Sequence, residues 1–147
     1  KTRAIVIDDI KNIPQKKTGT LKKAAILVQS TQDTKKAQAI VNKLRTQIPH
    51  LEFFNTICKP TRMRQEEIRK MPLRNDVMVI IGSKNSANTK RLFEISKSLN
   101  RRTYWINSES ELKRSWFKKT SSVGITAGAS TPESTTNGII EKIRGYR

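Results

Sequence analysis

Val77-Met-Val-Ile-Ile81, followed at once by Gly82-Ser-Lys-Asn-Ser-Ala-Asn88-Thr89, is the stretch on which the fold turns. Five consecutive apolar residues fit a strand, and such runs alternating with amphipathic segments argue for βαβ units and a mainly parallel sheet. Gly82 then lets the chain turn tightly away from the sheet. Ser86 or Asn88 supplies a capping side chain for the helix expected over Ser86–Leu99. Strand, glycine turn and capped helix, in that order, begin a βαβ unit.

The same rhythm extends in both directions. Strands are expected at Ala4–Ile7, Ala24–Val28, Leu51–Phe54, Thr103–Ile106 and Ser122–Ile125, with helices at Thr34–Gln47, Thr61–Lys70, Glu109–Phe117 and Pro132–Arg144. Ala37, Ile40, Val41, Leu44 and Ile48 follow the three-and-four spacing of a buried helical stripe, which makes them core. Asp33 or Thr34 caps that helix. Thr131-Pro132-Glu133 places a capping hydroxyl before a proline at the first helical position. Lys11–Lys23, with Pro14, Gly19 and many lysines, reads as a loop. The fold class is α/β: two adjacent small βαβ domains with mainly parallel sheets. The boundary falls near Asn55, giving an incomplete domain over 1–54 and a complete one over 55–147.

Polar clusters sit where strands end. Besides Gly82–Thr89, they are Gln29-Ser-Thr-Gln32, Asn55-Thr-Ile-Cys58-Lys-Pro-Thr61 and Gly124-Ile-Thr-Ala-Gly-Ala-Ser130. Ligands of open α/β sheets bind beyond the carboxyl ends of the strands, where backbone N–H groups and helix N-termini converge. Ser83, Ser86, Asn88 and Thr89 offer donors there. Gly124 and Gly128 permit close backbone approach, and Thr126 and Ser130 add hydroxyls. These residue types suit an anionic, phosphate-like ligand; the ordinary alternative is capping. Cys58 is the single cysteine, so no internal disulfide forms and a reducing, cytoplasmic setting fits. The Lys-Pro turn and basic helix that follow Cys58 favour thiolate, the form that binds metal.

A formal charge of +18 would fit a polyanionic partner such as nucleic acid. The cations, however, recur along the whole chain, as at Lys16-Lys17, Lys35-Lys36 and Arg101-Arg102, and no run reaches five. Aromatic residues make up only 5%, too few for base-stacking platforms. Solvated helix faces are the simpler account. No apolar stretch approaches the roughly 20 residues needed to span a bilayer. HExxH, P-loop and GxGxxG motifs and a paired-carboxylate site are absent from the sequence. His50 reads as an exposed loop residue, and Asp8-Asp9 as turn caps rather than a metal pair. The first residue is not Met and the N-terminus reads as a strand already under way, so a fragment of something longer is expected.

Three segments carry a specific resemblance. Asn55-Thr-Ile-Cys-Lys-Pro-Thr-Arg-Met-Arg-Gln65, Gly82-Ser-Lys-Asn-Ser-Ala-Asn-Thr-Lys-Arg-Leu92 and Val123-Gly-Ile-Thr-Ala-Gly-Ala-Ser-Thr-Pro-Glu133 resemble the C-terminal motifs of the 4-hydroxy-3-methylbut-2-enyl diphosphate reductase family. Gln29-Ser-Thr-Gln32 is similar to another family motif, and the likeness covers nearly the whole chain. That resemblance implies three similar α/β domains around a cleft, of which this chain holds the second, incomplete, and the third. It implies a 4Fe–4S cluster bound by three cysteines, Cys58 matching the third. Ser86, Asn88 and Ser130 match residues that hold the substrate's diphosphate, and Ser30 stands where the family usually has a threonine near the substrate. Thr61 matches a threonine close to the cluster.

Ala87 replaces a family serine, so one diphosphate hydroxyl is missing while the backbone N–H remains. The family's other two cysteines, its substrate-binding histidines and the glutamate of proton delivery have no counterpart here, so catalytic residues are expected upstream and the fragment alone is expected to be inactive. The implied function is the C-terminal part of an isoprenoid-pathway oxidoreductase. An electron donor such as ferredoxin or flavodoxin is implied, and neither membrane nor nucleic acid. The location would be the bacterial cytoplasm, or a plastid in a eukaryote. The alternatives are a basic nucleic-acid-binding module and a non-catalytic phosphometabolite-binding α/β domain.

Overall fold

In the computed structural model, residues 4–146 are described. The chain divides into two compact units, Lys1–Cys58 and Lys59–Arg147. Both are α/β with parallel strands, as the sequence predicts.

The first unit contains a short helix α1 (Gln15–Thr18), strand β1 (Lys23–Leu27), helix α2 (Thr34–Arg45) and strand β2 (His50–Phe54). β1 and β2 pair in parallel, with Leu27 opposite Phe54 at the carboxyl end. The α2 stripe is core as expected: Ile40 and Leu44, with Ile48 and Ile13, pack against Ala24, Ile26 and Leu51 of the strands. Asp33 rather than Thr34 is the cap, its carboxylate accepting the Lys36 N–H at 2.9 Å.

Two expectations fail in this unit. Ala4–Ile7 is not a strand. Val6 is 92% exposed, and among the described residues no ladder partner runs beside it, so apolar composition alone does not make a strand. Nor is Lys11–Lys23 simply a loop. A 3-10 turn at Ile10–Asn12 and helix α1 occupy part of it. Pro14 precedes the first helical residue, and Thr18 is buried, its hydroxyl donating to the Gln47 side-chain oxygen at 3.1 Å.

The second unit runs α3 (Lys59–Ile68), β3 (Val77–Ile81), α4 (Ala87–Leu99), β4 (Thr103–Ile106), β5 (Val123–Ala127) and α5 (Glu133–Arg144). The strand order is β4-β3-β5, all parallel. β3 is central and every residue of it is buried, which suits its uninterrupted apolar run. Its alternate residues feed two cores. Val77, Val79 and Ile81 pack with Ile106, Leu112, Ile139 and Ile143 on the α5 side. Met78 and Ile80 pack with Ile68, Leu92 and Ile95 from α3 and α4. Burying each such side chain contributes about 1.5–3 kcal/mol, so both cores are anchored on β3.

The helix expected over Glu109–Phe117 is instead two 3-10 turns, Glu109–Glu111 and Arg114–Phe117. Leu112 and Lys113 between them are extended, and Leu112 is buried in the core. The Trp116 carbonyl is taken by the Arg102 guanidinium at 2.7 Å, and the Trp116 ring stacks on Tyr104. Tertiary partners thus hold the segment in place of a helical ladder.

Candidate functional site

The carboxyl end of β3 opens into Gly82, whose φ of 141° is one that side chains rarely adopt. The space beside it is also filled. A Cβ on Gly82 would lie 2.8 Å from both the Thr89 and the Thr131 hydroxyl oxygens, and a Cβ on Gly128 would collide with the same Thr89 oxygen. These glycines make room for the Thr89 side chain. Gly124 likewise accommodates Met78, whose sulfur would meet its Cβ. The close approach expected at Gly124 and Gly128 is therefore made by this chain's own side chains.

The turn after Gly82 is pinned from several sides. The Trp105 indole donates to the Gly82 carbonyl at 2.8 Å. The Lys84 ammonium lies 4.7 Å above the Trp105 ring and also donates to the Trp105 carbonyl. Ser86 caps α4, its hydroxyl accepting the Thr89 N–H at 3.2 Å, and its carbonyl accepts the Lys90 N–H. The N–H groups of Ala87 and Asn88 are left without a protein acceptor among the described residues. Such orphan donors, with the helix dipole behind them, attract an anion.

Asn88 supplies a second, independent sign. Its side chain is only 6% exposed, and neither its amide nitrogen nor its amide oxygen has a partner among the described residues. The Thr89 hydroxyl, on a residue 1% exposed, is in the same position. A buried polar group left unpaired costs about 1–3 kcal/mol, so the Asn88 amide at the helix start favours a ligand or water that would pair with it.

β5 ends beside β3, with Ala127 opposite Ile81. The Ile81 carbonyl accepts the Gly128 N–H at 2.8 Å and the Thr131 hydroxyl at 3.2 Å. Thr131 is therefore not the cap of α5: Pro132 takes that place and no side chain caps the helix. Ser130, in the turn closed by Thr131 N–H to Gly128 O at 3.0 Å, is exposed. Arg64 of α3 donates to the Ala127 carbonyl at 2.7 Å.

In the first unit, the ends of β1 and β2 are joined by side chain and backbone. The Thr56 hydroxyl accepts the Val28 N–H at 2.9 Å and donates to the Val28 carbonyl. The Cys58 N–H donates to the Ser30 carbonyl at 3.1 Å, bringing together the two residues expected near a cofactor and substrate. Both are exposed, and Cys58 is in no disulfide. Thr61 belongs to the second unit and is buried in the first turn of α3.

Among the described residues no group of three or more His, Cys, Asp and Glu is placed to hold a metal. Cys58, exposed beside the ends of two strands, is the one thiol this chain offers to a metal. His50 is exposed but lies in β2 rather than in a loop. Asp9 caps the Lys11 N–H, and Asp8 accepts from the Asn12 amide.

Sequence reasoning missed Arg64 and Trp105. Their carbonyl partners are 63 and 23 residues away, and no local pattern announces them.

The family model described as LytB protein matches residues 1–144. The 4-hydroxy-3-methylbut-2-enyl diphosphate reductase of Campylobacter lari is 40% identical over 145 residues, covering 99% of this chain and 51% of the relative. The Campylobacter fetus enzyme of the same name is 46% identical over 121 residues, covering 82% and 43%. A solved (E)-4-hydroxy-3-methyl-but-2-enyl diphosphate reductase, the terminal enzyme of the non-mevalonate pathway, superposes with a TM-score of 0.61 at 36% identity, over 95% of this chain and 49% of that one. The Plasmodium falciparum E-1-hydroxy-2-methyl-but-2-enyl-4-diphosphate reductase gives a TM-score of 0.79 at 26% identity, over 92% and 43%. The chain thus spans about half the length of the curated relatives it matches.

Proposed function

The chain belongs to the LytB protein family, and from that premise we propose that it forms the C-terminal portion of a 4-hydroxy-3-methylbut-2-enyl diphosphate reductase. Residues 1–54 belong to the middle domain of such an enzyme and 55–147 to its last. The observation that carries the reading is Asn88: a buried amide, unpartnered among the described residues, at a helix start where two N–H groups likewise have no acceptor among them. A diphosphate supplies acceptors for the two N–H groups and for the Asn88 amide nitrogen.

In this reading the diphosphate lies at the start of α4. The N–H groups of Ala87 and Asn88 and the Asn88 amide donate to its oxygens, and the Ser86 and Ser130 hydroxyls complete the set. Replacement of a serine by Ala87 removes one hydroxyl but no backbone donor. By motif likeness Ser30 is assigned to the substrate and Thr61 to the neighbourhood of the cluster. Cys58 would hold one iron of a 4Fe–4S cluster, which supplies the two electrons of the reduction. The reaction breaks the allylic C–O bond, releases the oxygen as water after protonation, and adds a proton to carbon to give isopentenyl or dimethylallyl diphosphate. The residues of proton delivery and the two further cysteines belong to the N-terminal half of such enzymes.

Among the described residues no helix is long and apolar enough to cross a membrane. We place the enzyme in the cytoplasm, reduced by a ferredoxin- or flavodoxin-type donor. The test is turnover by the protein expressed from its complete coding sequence, purified anaerobically and given a chemical reductant. Conversion of 4-hydroxy-3-methylbut-2-enyl diphosphate to the two isoprenoid diphosphates is expected. Diphosphate binding by an iron-loaded protein without any reduction would refute the assignment in favour of a non-catalytic binding domain.

A further inference from the structure

We infer that Arg64 is a positioning residue of the diphosphate site, fixing the Ser130 loop through the Ala127 carbonyl; this rests on the reading of Ser130 given above. Ala127 is the last residue of β5, and its carbonyl lies just ahead of the Gly128–Ser130 turn. Among the described residues of the second unit, β5 is an edge strand paired only with β3. The turn's other ties run to the Ile81 carbonyl or close within it: Gly128 N–H and the Thr131 hydroxyl to Ile81, and Thr131 N–H to Gly128 O. Arg64 supplies the tie from outside. Its half-buried guanidinium reaches from the second turn of α3 to that carbonyl at 2.7 Å.

The chemistry of the bond suits this task. A guanidinium donor to a carbonyl is charge-assisted and stronger than a neutral bond. The Ser130 hydroxyl is exposed and has no protein partner among the described residues, so its placement depends wholly on the backbone that carries it. Releasing Ala127 lets that backbone relax. Binding then requires reordering the turn, and the contribution of Ser130 shrinks.

The inference therefore predicts non-additivity between Arg64 and Ser130, which a general loss of stability would not produce. The experiment is titration calorimetry of inorganic pyrophosphate with the complete protein, as wild type, Arg64→Met, Ser130→Ala and the double variant. Each single change is expected to weaken binding about tenfold, the scale of one lost charged hydrogen bond, and the double variant little more than either. Arg64→Lys, which keeps a donor, is expected to recover most of the affinity. If the losses multiply, or if Arg64→Met binds as the wild type does, the inference is overturned. If the Met variant does not fold, Arg64→Gln, too short to reach Ala127, carries the same cycle. A wild type that binds pyrophosphate but turns over no substrate defeats the reductase assignment while the cycle still decides the role of Arg64.

Discussion

The Thr89 hydroxyl oxygen stands 2.8 Å from the point where a Cβ on Gly82 would lie. The same oxygen fills the space above Gly128, so one side chain of α4 is seated between the backbones that leave β3 and β5. The two loops proposed to hold the diphosphate are in this way built against a common residue. Their glycines are required by packing as well as by any ligand.

Gly128→Ala is therefore expected to lower stability by about 1–3 kcal/mol, the usual cost of overpacking a closed site. Gly82→Ala should cost more, because its φ of 141° adds backbone strain. Thermal or urea unfolding measures both. Adding Thr89→Ala, which removes the obstructing atom, should restore much of the loss in Gly128→Ala. A double variant no more stable than Gly128→Ala alone would contradict this packing account.

Asn88 and Thr89 should respond differently to losing their unpaired groups. Thr89→Val keeps the shape and removes a buried hydroxyl without a partner, so stability is expected to hold or rise by about 1 kcal/mol. Asn88→Ala is expected to raise KM by about tenfold or more, the scale of one or two charged hydrogen bonds, with little change in melting temperature. An unchanged KM would remove Asn88 from the site.

Asp76 links the second unit's stability to pH. Its carboxylate accepts the Ser121 and Ser122 N–H groups at 2.8 and 3.0 Å. Those backbone bonds, helped by the Ser122 hydroxyl and the Arg102 charge, hold its pKa below the ordinary aspartate value. Because the folded value is depressed, its contribution is fully present above the ordinary range and is lost as pH falls through the folded value. The melting-temperature gap between wild type and Asp76→Asn should then be constant near neutrality and close below about pH 4. A gap that persists or widens in acid would contradict this assignment.

How much the sequence discloses differs by element. β3 is legible as a strand because five apolar residues are followed at once by a glycine, whereas its central place depends on pairing with β4 and β5, which are distant in sequence. The α2 stripe and the Asp33 and Ser86 caps are legible because their signals span a few residues. The segment Glu109–Phe117 carries a helical pattern, but Leu112 turns into the core and Arg102 holds the Trp116 carbonyl, and neither contact is local. Thr131 misleads similarly. Its place before Pro132 suits a cap, yet its hydroxyl is used on Ile81, fifty residues away in sequence. The residues proposed for the site rest on motif likeness. What motif likeness does not disclose is the support beneath them, at Arg64, Trp105 and the glycines around Thr89.

The most direct measurement of the central claim is iron and acid-labile sulfide per protein in the anaerobically prepared complete protein, wild type against Cys58→Ser. A sulfur-to-oxygen change at an exposed position costs little stability but removes a soft ligand. The account predicts a cluster-loaded wild type and a variant that has lost the cluster while keeping its melting temperature. A variant with wild-type iron, sulfide and turnover would contradict it.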